Sequence, residues 1–153
     1  MNPSDVGKDK TFQHDDLHLW LNNTENLIDV INTIHGGLNR TDVEILQRQR
    51  EVNLYSKTGF LIGRPDSIVD YSLGGKKYVL LIELKPTLPA ASSVIGQVKA
   101  YVDHLDKEYF DYKRRKVLAK VQAVIVTYSV SEKYDELYHD DALHIHIYRV
   151  PKK

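Results

Sequence analysis

The sequence predicts a single α/β domain, spanning residues 1–153, in which helices flank a mixed β-sheet in the order αα-βββ-α-β-(α)-β. Two strand-like runs on either side of the double glycine at 74–75 predict a hairpin near the middle of the chain. Helical periodicity before and after this hairpin predicts the flanking helices. An apolar run at 121–130 then predicts a strand parallel to the second hairpin strand, because a helix precedes it.

The composition is that of an ordinary globular protein. The chain has 153 residues, of which 42% are apolar and 27% charged, enough for one core. No apolar run is long enough to span a membrane and the polar N-terminus does not resemble a signal peptide, so we expect a cytoplasmic, intracellular protein with no membrane partner. The absence of cysteine excludes disulfides and thiolate-bound zinc or iron–sulfur sites. A formal net charge of zero means that any DNA binding must come from a local patch.

The N-terminal region predicts a flexible arm followed by a helix. Residues 1–12 carry no periodic pattern and are expected to be loosely held. A helix is predicted from Asp15 or Asp16 to the double glycine at 36–37, because an apolar stripe with helical spacing connects them. The polar residues at 22–24 are expected to interrupt it.

A further helix is predicted over residues 41–56. Thr41 and Glu44 have the spacing of a capping box, in which the glutamate side chain bonds back to the threonine amide. Residues 58–62 then lead into the hairpin.

The hairpin brings two acids together. If the double glycine forms a two-residue loop, the numbers of every facing pair sum to 149, as those of Asp66 and Glu83 do. Facing residues point to the same side of the sheet with Cβ atoms roughly 5 Å apart. Lys85 lies two residues beyond Glu83 and therefore joins the same face.

Such a cluster has the chemistry of a divalent metal site. Adjacent carboxylates repel each other, and a hard cation removes that cost while the Leu84 carbonyl offers a further oxygen. Lys85 can orient a water or stabilise charge on a phosphate. The alternative is an ion pair on a solvated sheet face, but facing like charges are destabilising there.

Downstream, a helix is predicted from Ser92 or Ser93 to about Leu105. Gln97 and Tyr101 lie one turn apart on it and project together. Residues 131–142 are predicted to form a short acidic helix or turn, and the alternation at 143–148 predicts a final strand.

Three short motifs occur in order along the chain: Gly63-x-x-Asp66 with Pro65 before the aspartate, Glu83-Leu84-Lys85, and Gln97-x-x-x-Tyr101. Together they resemble the signature of the PD-(D/E)XK nuclease superfamily, and in particular of RecB-type nuclease domains. The resemblance covers residues 41–130 and implies a restriction-endonuclease-like α/β fold and a metal-dependent deoxyribonuclease.

The resemblance implies a role for each motif residue. Asp66 and Glu83 would bind Mg²⁺ or Mn²⁺, and Lys85 would assist the attacking water. Gln97 and Tyr101 would shape the site and contact DNA. Exonuclease and endonuclease activity both remain open.

The residue that completes the metal shell is left open. Many PD-(D/E)XK enzymes carry a glutamate on the helix before the first catalytic strand, which favours Glu44, although the capping box competes for this side chain. Glu51 is the rival glutamate. Some RecB-like domains have a histidine ligand upstream of the aspartate, which makes His35 a candidate, although a histidine at a helix C-terminus also interacts favourably with the helix dipole.

Four basic residues are candidate DNA-backbone contacts: Arg64, Lys99, Arg114 and Arg115. The last two belong to a mixed basic segment that equally fits a solvated connector. A non-catalytic DNA-binding or assembly module on the same fold is the alternative function, and a homodimer is left open.

Overall fold

The computed structural model describes residues 3–37, 42–56, 58–88, 94–105, 120–130 and 145–151, with residues 3–12 and 120 described by their backbone alone. Three helices lie within these ranges: α1 Pro3–Asn22, α2 Thr24–Ile34 and α3 Val94–His104. The strands there are β1 Val43–Arg50, β2 Leu54–Tyr55, β3 Leu61–Gly63, β4 Ser67–Leu73, β5 Lys76–Leu84, β6 Thr87–Leu88, β7 Lys120–Thr127, β8 Ser129–Val130 and β9 Ile145–Arg149.

Five strands form one mixed sheet in the order β1-β4-β5-β7-β9. The first three strands are antiparallel neighbours, and β7 runs parallel to both β5 and β9. Two small two-stranded sheets, β2–β3 and β6–β8, accompany it. The predicted α/β fold, a mixed sheet flanked by helices, is confirmed, and so is the parallel pairing of the strand after α3.

The central hairpin has the predicted register. Ser67 faces Ile82 at one end of the β4–β5 ladder and Leu73 faces Lys76 at the other, so the facing numbers sum to 149 throughout. Gly74 and Gly75 have φ angles of 58° and 83°, which a two-residue hairpin loop with positive φ at both positions requires.

Hydrophobic cores lie on both faces of the sheet. Helices α1 and α2 pack on one face through Leu17, Leu21, Leu27, Val30 and Ile31. Helix α3 packs on the other through Val94, Val98, Tyr101 and Val102. Strand β5 is buried on both sides, since alternate residues belong to the two cores, and this burial accounts for its nearly continuous apolar run.

The predicted start of the first helix is wrong, while the loosely held arm at residues 1–12 stays a prediction. Helix α1 begins at Pro3 and continues to Asn22, so the expected start at Asp15 or Asp16 falls inside the helix. The predicted break is confirmed at Asn23, whose side chain caps α2 by accepting a hydrogen bond from the Glu25 amide over 3.0 Å.

The prediction of a helix over residues 41–56 is also wrong. Residues 43–50 form strand β1, which pairs antiparallel with β4 and carries an irregularity between Ile45 and Gln47. Thr41, the first residue of the predicted capping box, lies outside the described residues, and Glu44 lies in β1. The backbone of β4 offers a full ladder of partners to this segment, and that pairing outweighs a local capping pattern because propensity is only a weak preference.

Several other predictions lie at the edges of the described residues. Helix α3 begins at Val94, so Ser92 and Ser93 fall outside them, as do residues 106–119 and 131–144. The strands predicted at 121–130 and 143–148 are confirmed as β7 and β9, with shifted ends. None of the helices in the described ranges is both long and apolar enough to cross a membrane.

Candidate functional site

The two acids of the hairpin meet at the end opposite the double-glycine loop. The backbone amide of Asp66 donates a hydrogen bond to Glu83 Oε1 over 3.1 Å. The backbone amide of Leu84 in turn donates to Asp66 Oδ2 over 2.7 Å. This reciprocal pair of bonds holds both carboxylates at the sheet end, and it agrees with the contact that the register predicted.

The environment of Glu83 opposes a negative charge. The residue is 5% exposed, and this burial, followed by repulsion from Asp66, raises its pKa to about 7. The hydrogen bond from the Asp66 amide and the positive charge of Lys85 counter only part of that rise. Lys85 is thus close enough to act on Glu83, as expected, and a further positive charge at this position would favour the ionised form of Glu83.

On one side of the acids, α3 presents Gln97 and Tyr101. The side-chain amide of Gln97 donates to the Tyr101 hydroxyl over 2.8 Å, so the pair projects together as predicted. The same hydroxyl accepts a hydrogen bond from the backbone amide of Arg64. Burial, together with the charge of Glu83, raises the pKa of Tyr101, which keeps the phenol protonated at neutral pH.

The Tyr101 ring packs against Gly63, where a larger residue would not fit. A Cβ atom added to Gly63 would lie 2.3 Å from Tyr101 Cε1, far inside van der Waals contact. The glycine of the Gly63-x-x-Asp66 motif therefore allows the ring to pack directly on the chain three residues before the aspartate.

On the other side of the acids, α1 presents two histidines that the sequence interpretation missed. His14 and His18 lie one turn apart, with their Nε2 atoms 3.4 and 3.6 Å from Asp66 Oδ1. Their rings meet edge to face with centroids 4.8 Å apart. The His14-x-x-x-His18 spacing is itself a signal of helical metal ligands. That signal was hidden because the helix was predicted to begin after His14.

His18 is buried with an unsatisfied nitrogen. Its Nε2 has no hydrogen-bond partner among the described residues. Burial lowers the pKa of His18, and the attraction of Asp66 offsets this only in part. A neutral imidazole makes no ion pair with Asp66, so the 3.6 Å approach leaves Nε2 available as a ligand atom.

These residues fit a metal ion. Within the described part of the chain, His14, His18 and Asp66 each offer one ligand atom, and the three atoms lie within 4.8 Å of one another. The orphaned nitrogen of His18 and the crowded carboxylates of Asp66 and Glu83 both favour a bound cation.

The structure does not bring Glu44 or His35 to this cluster. Glu44 faces Ser72 on β4, five residues from Ser67 at the site end, or about 17 Å at the usual strand rise. A metal site shared by Glu44 and Asp66 is therefore contradicted, because the segment is a strand and not a helix. His35 Nε2 lies 2.6 Å from the Tyr71 hydroxyl, toward the loop end of the hairpin, so it cannot complete this site either.

The rival glutamate lies much nearer. The backbone amide of Glu51 donates to the carbonyl oxygen of Asp66 over 2.9 Å. Its side chain, however, is engaged by the Arg64 guanidinium at 3.2 Å.

The predicted DNA contacts have mixed outcomes. Arg64 is exposed, and its guanidinium also donates to the Glu51 carbonyl oxygen over 3.2 Å. Lys99 is exposed on α3. Arg114 and Arg115 lie outside the described residues, so their contribution stays a prediction.

Comparisons with known proteins give structural likeness alone. Neither a protein-family model nor a curated protein matches the chain. Among solved structures, it is similar to a repair endonuclease from Pyrococcus abyssi, with a TM-score of 0.48 and 18% identity over 85% of this chain and 46% of that chain. It is also similar to EndoMS in the EndoMS-dsDNA2 complex, with a TM-score of 0.47 and 20% identity over 85% of this chain and 44% of that one. The chain thus spans less than half the length of these proteins.

Proposed function

We propose that this chain is a metal-dependent deoxyribonuclease that hydrolyses DNA phosphodiester bonds. The observation that carries the proposal is the meeting of Asp66 and Glu83 beside Lys85 at one end of the hairpin. This is the arrangement that the PD-(D/E)XK-like motifs imply, and the hairpin register supports it independently of the motifs.

The acids would hold Mg²⁺ or Mn²⁺. The carboxylates of Asp66 and Glu83 and the carbonyl oxygen of Leu84 are the proposed ligands. Such an ion polarises a phosphoryl oxygen and lowers the pKa of a bound water. The raised pKa of Glu83, caused first by burial and then by Asp66, supports this role because the attraction of a nearby cation would compensate for both effects.

The remaining motif residues would act on the substrate. Lys85 would donate a hydrogen bond to the attacking water or to a phosphate oxygen whose negative charge grows during the reaction. The Tyr101 hydroxyl, held by Gln97 and by the Arg64 amide, would fix the position of the DNA strand beside the acids.

Exposed cations would contact the DNA backbone. Lys99 projects from the same helix as Gln97 and Tyr101, and Arg64 precedes Asp66 by two residues. Arg114 and Arg115 are proposed as further contacts on the sequence argument alone. Phosphate contacts of this kind would make DNA affinity fall as the salt concentration rises.

The test is cleavage of single-stranded, duplex, flapped and four-way DNA with Mg²⁺ or Mn²⁺. We expect the wild-type protein to cleave at least one substrate, and Asp66→Asn, Glu83→Gln and Lys85→Met each to lose activity by about 100-fold or more. Glu25→Gln, which alters an exposed acid of α2, is the matched control and should retain activity.

Two results would contradict the proposal. If the wild type cleaves no DNA, matches Asp66→Asn, and binds DNA equally well in chelator, the chain is a non-catalytic DNA-binding module. If it hydrolyses small phosphate esters but leaves every DNA intact, the chemistry is that of a phosphatase.

A further inference from the structure

We propose that His14, His18 and Asp66 ligate one metal ion through two imidazoles and one carboxylate, and that this donor set selects a transition-metal ion such as Mn²⁺, Co²⁺ or Ni²⁺ over Mg²⁺. The inference deepens the proposed function by naming the ion class and two ligands beyond the hairpin acids. It rests on that function only in assigning the ion to the nuclease site, since metal binding itself is measured without DNA.

The first support is geometric. Two ligand atoms bound to one ion at about 2.1 Å lie roughly 3.0–3.5 Å apart, whether the geometry is octahedral or tetrahedral. The two Nε2 atoms approach Asp66 Oδ1 at 3.4 and 3.6 Å, and all three atoms lie within 4.8 Å of one another. Small side-chain adjustments would therefore bring all three to one ion.

The second support is the unsatisfied nitrogen of His18. The residue is 8% exposed, and its Nε2 contacts no hydrogen-bond partner in the described part of the chain. The edge-to-face contact with His14 orients the two rings but satisfies neither Nε2. Burial of an unpaired polar atom is costly, and a metal ion aligned with its lone pair would remove that cost.

The third support is the way in which Asp66 is held. Its Oδ2 accepts a hydrogen bond from the Leu84 amide over 2.7 Å, which leaves Oδ1 directed toward the two histidines. Carboxylates that ligate a metal are generally held by a further hydrogen bond, which orients them toward the ion. The aspartate is therefore shared between the acid pair and the histidine pair.

The ion class follows from the donor atoms. Mg²⁺ prefers oxygen ligands and dehydrates reluctantly, whereas imidazole nitrogen suits transition-metal ions. Affinity for a site of this kind rises from Mn²⁺ through Co²⁺ to Ni²⁺. His14 is the informative ligand, because removal of this partly exposed ring leaves a one-imidazole site on an otherwise intact helix.

The test is metal binding by the full, metal-depleted chain without DNA, measured by calorimetry and by the electron paramagnetic resonance of bound Mn²⁺. We expect Mn²⁺ and Co²⁺ to bind at least 10-fold more tightly than Mg²⁺. The spin-echo modulation of bound Mn²⁺ should show coupling to imidazole nitrogen.

Variants of the two histidines should separate their contributions. His14→Ala and His18→Ala should each weaken Mn²⁺ binding by 10-fold or more, change Mg²⁺ binding little, and reduce the nitrogen coupling. If His18→Ala does not fold, His14→Gln provides a second test at His14, which is the more exposed of the two histidines. His146→Ala, which removes a partly buried histidine of the edge strand β9, is the control and should leave binding unchanged.

The outcomes are distinguishable from those of the cleavage assay. Two outcomes would overturn this inference even in a protein that cleaves DNA. The first is equal affinity for Mg²⁺ and Mn²⁺. The second is that His14→Ala and His14→Gln leave both the Mn²⁺ affinity and the nitrogen coupling unchanged. Conversely, a protein that binds Mn²⁺ through both histidines yet cleaves no DNA would uphold the site and overturn the nuclease proposal.

Discussion

Two pairs of side chains approach the hairpin acids from opposite faces of the sheet, and they differ in their hydrogen bonding. On α3, Gln97 and Tyr101 lie one turn apart and are joined to each other, and the Tyr101 hydroxyl also receives the Arg64 amide. On α1, His14 and His18 have the same spacing, yet His18 Nε2 has no hydrogen-bond partner within the described ranges.

This contrast distinguishes the α3 pair, whose geometry is fixed by its own hydrogen bonds, from the α1 pair, which has a nitrogen atom available for a ligand. A satisfied pair has its geometry set before any ligand arrives, and its removal should cost stability. An unsatisfied buried nitrogen costs stability in the absence of a ligand. The α3 pair therefore suits a positioning role, while the α1 pair suits a metal ligand role.

The largest expected effect concerns Glu83, which accepts a hydrogen bond from the Asp66 amide and lies close to Tyr101. Its pKa is raised from 4.5 to about 7, chiefly by burial, so in the native state it keeps its proton at pH values where the unfolded chain has lost it. Stability from this group is thus fully present below pH 4.5 and is lost as the pH rises through about 7. As the pH rises between those limits, the free energy of unfolding of the metal-free wild type should fall by up to about 3 kcal/mol relative to that of Glu83→Gln.

Denaturant unfolding in chelator across pH 4–8 measures this difference. A constant gap between wild type and Glu83→Gln would contradict it. Added Mn²⁺ should reduce the pH dependence, because a bound cation favours the ionised acid.

The next effect tests the packing of the α3 pair. In Gly63→Ala, the new Cβ would lie 2.3 Å from Tyr101 Cε1, so the ring or the strand must move. We expect the free energy of unfolding to fall by about 1–3 kcal/mol. Gly96→Ala is the matched control, since a Cβ there meets no atom within 4 Å in the described structure. Equal stability of the two variants would show that Tyr101 is not packed on Gly63.

A smaller loss is expected from the hydroxyl of the α3 pair. Tyr101→Phe removes the acceptor of the Gln97 and Arg64 bonds while keeping the ring. Thermal or denaturant unfolding should show a loss of about 1 kcal/mol. A variant as stable as wild type would mean that the hydroxyl is not held as the structure describes it.

The smallest effect concerns the α1 pair. His18→Leu replaces an unsatisfied nitrogen with carbon of similar volume, so the metal-free protein should be unchanged or more stable by up to about 1 kcal/mol. A loss comparable to that of Tyr101→Phe would indicate that the imidazole is satisfied. Added Mn²⁺ should raise the melting temperature of wild type, and of this variant much less.

The position of the two acids was predictable because a hairpin is formed by residues close together in the sequence. The double glycine at 74–75 sets the loop and the loop sets the register, which runs from Leu73–Lys76 to Ser67–Ile82. One step further along this register brings Asp66 to Glu83, where the two residues are joined by hydrogen bonds. The Gln97–Tyr101 pair was predictable for the same reason, since one helical turn decides it.

The failures came where pairing between distant segments decides the structure. The capping-box pattern of Thr41 and Glu44 predicted a helix, but the free edge of β4 turned residues 43–50 into a strand and moved Glu44 away from the acids. The histidines were missed because the start of α1 was placed after His14, and nothing local connects α1 with a residue some fifty positions later.

By itself, the sequence determined the α/β class, the hairpin with its two facing acids, and the helical Gln97–Tyr101 pair, because each depends on periodicity or on a tight turn within a short stretch of chain. Only the tertiary structure decided which residues gather around Asp66 from elsewhere. The packing of α1 on the sheet brings His14 and His18 to it, and the β1–β4 ladder removes Glu44. Such contacts depend on which surfaces bury one another, and a local pattern carries no information about that choice.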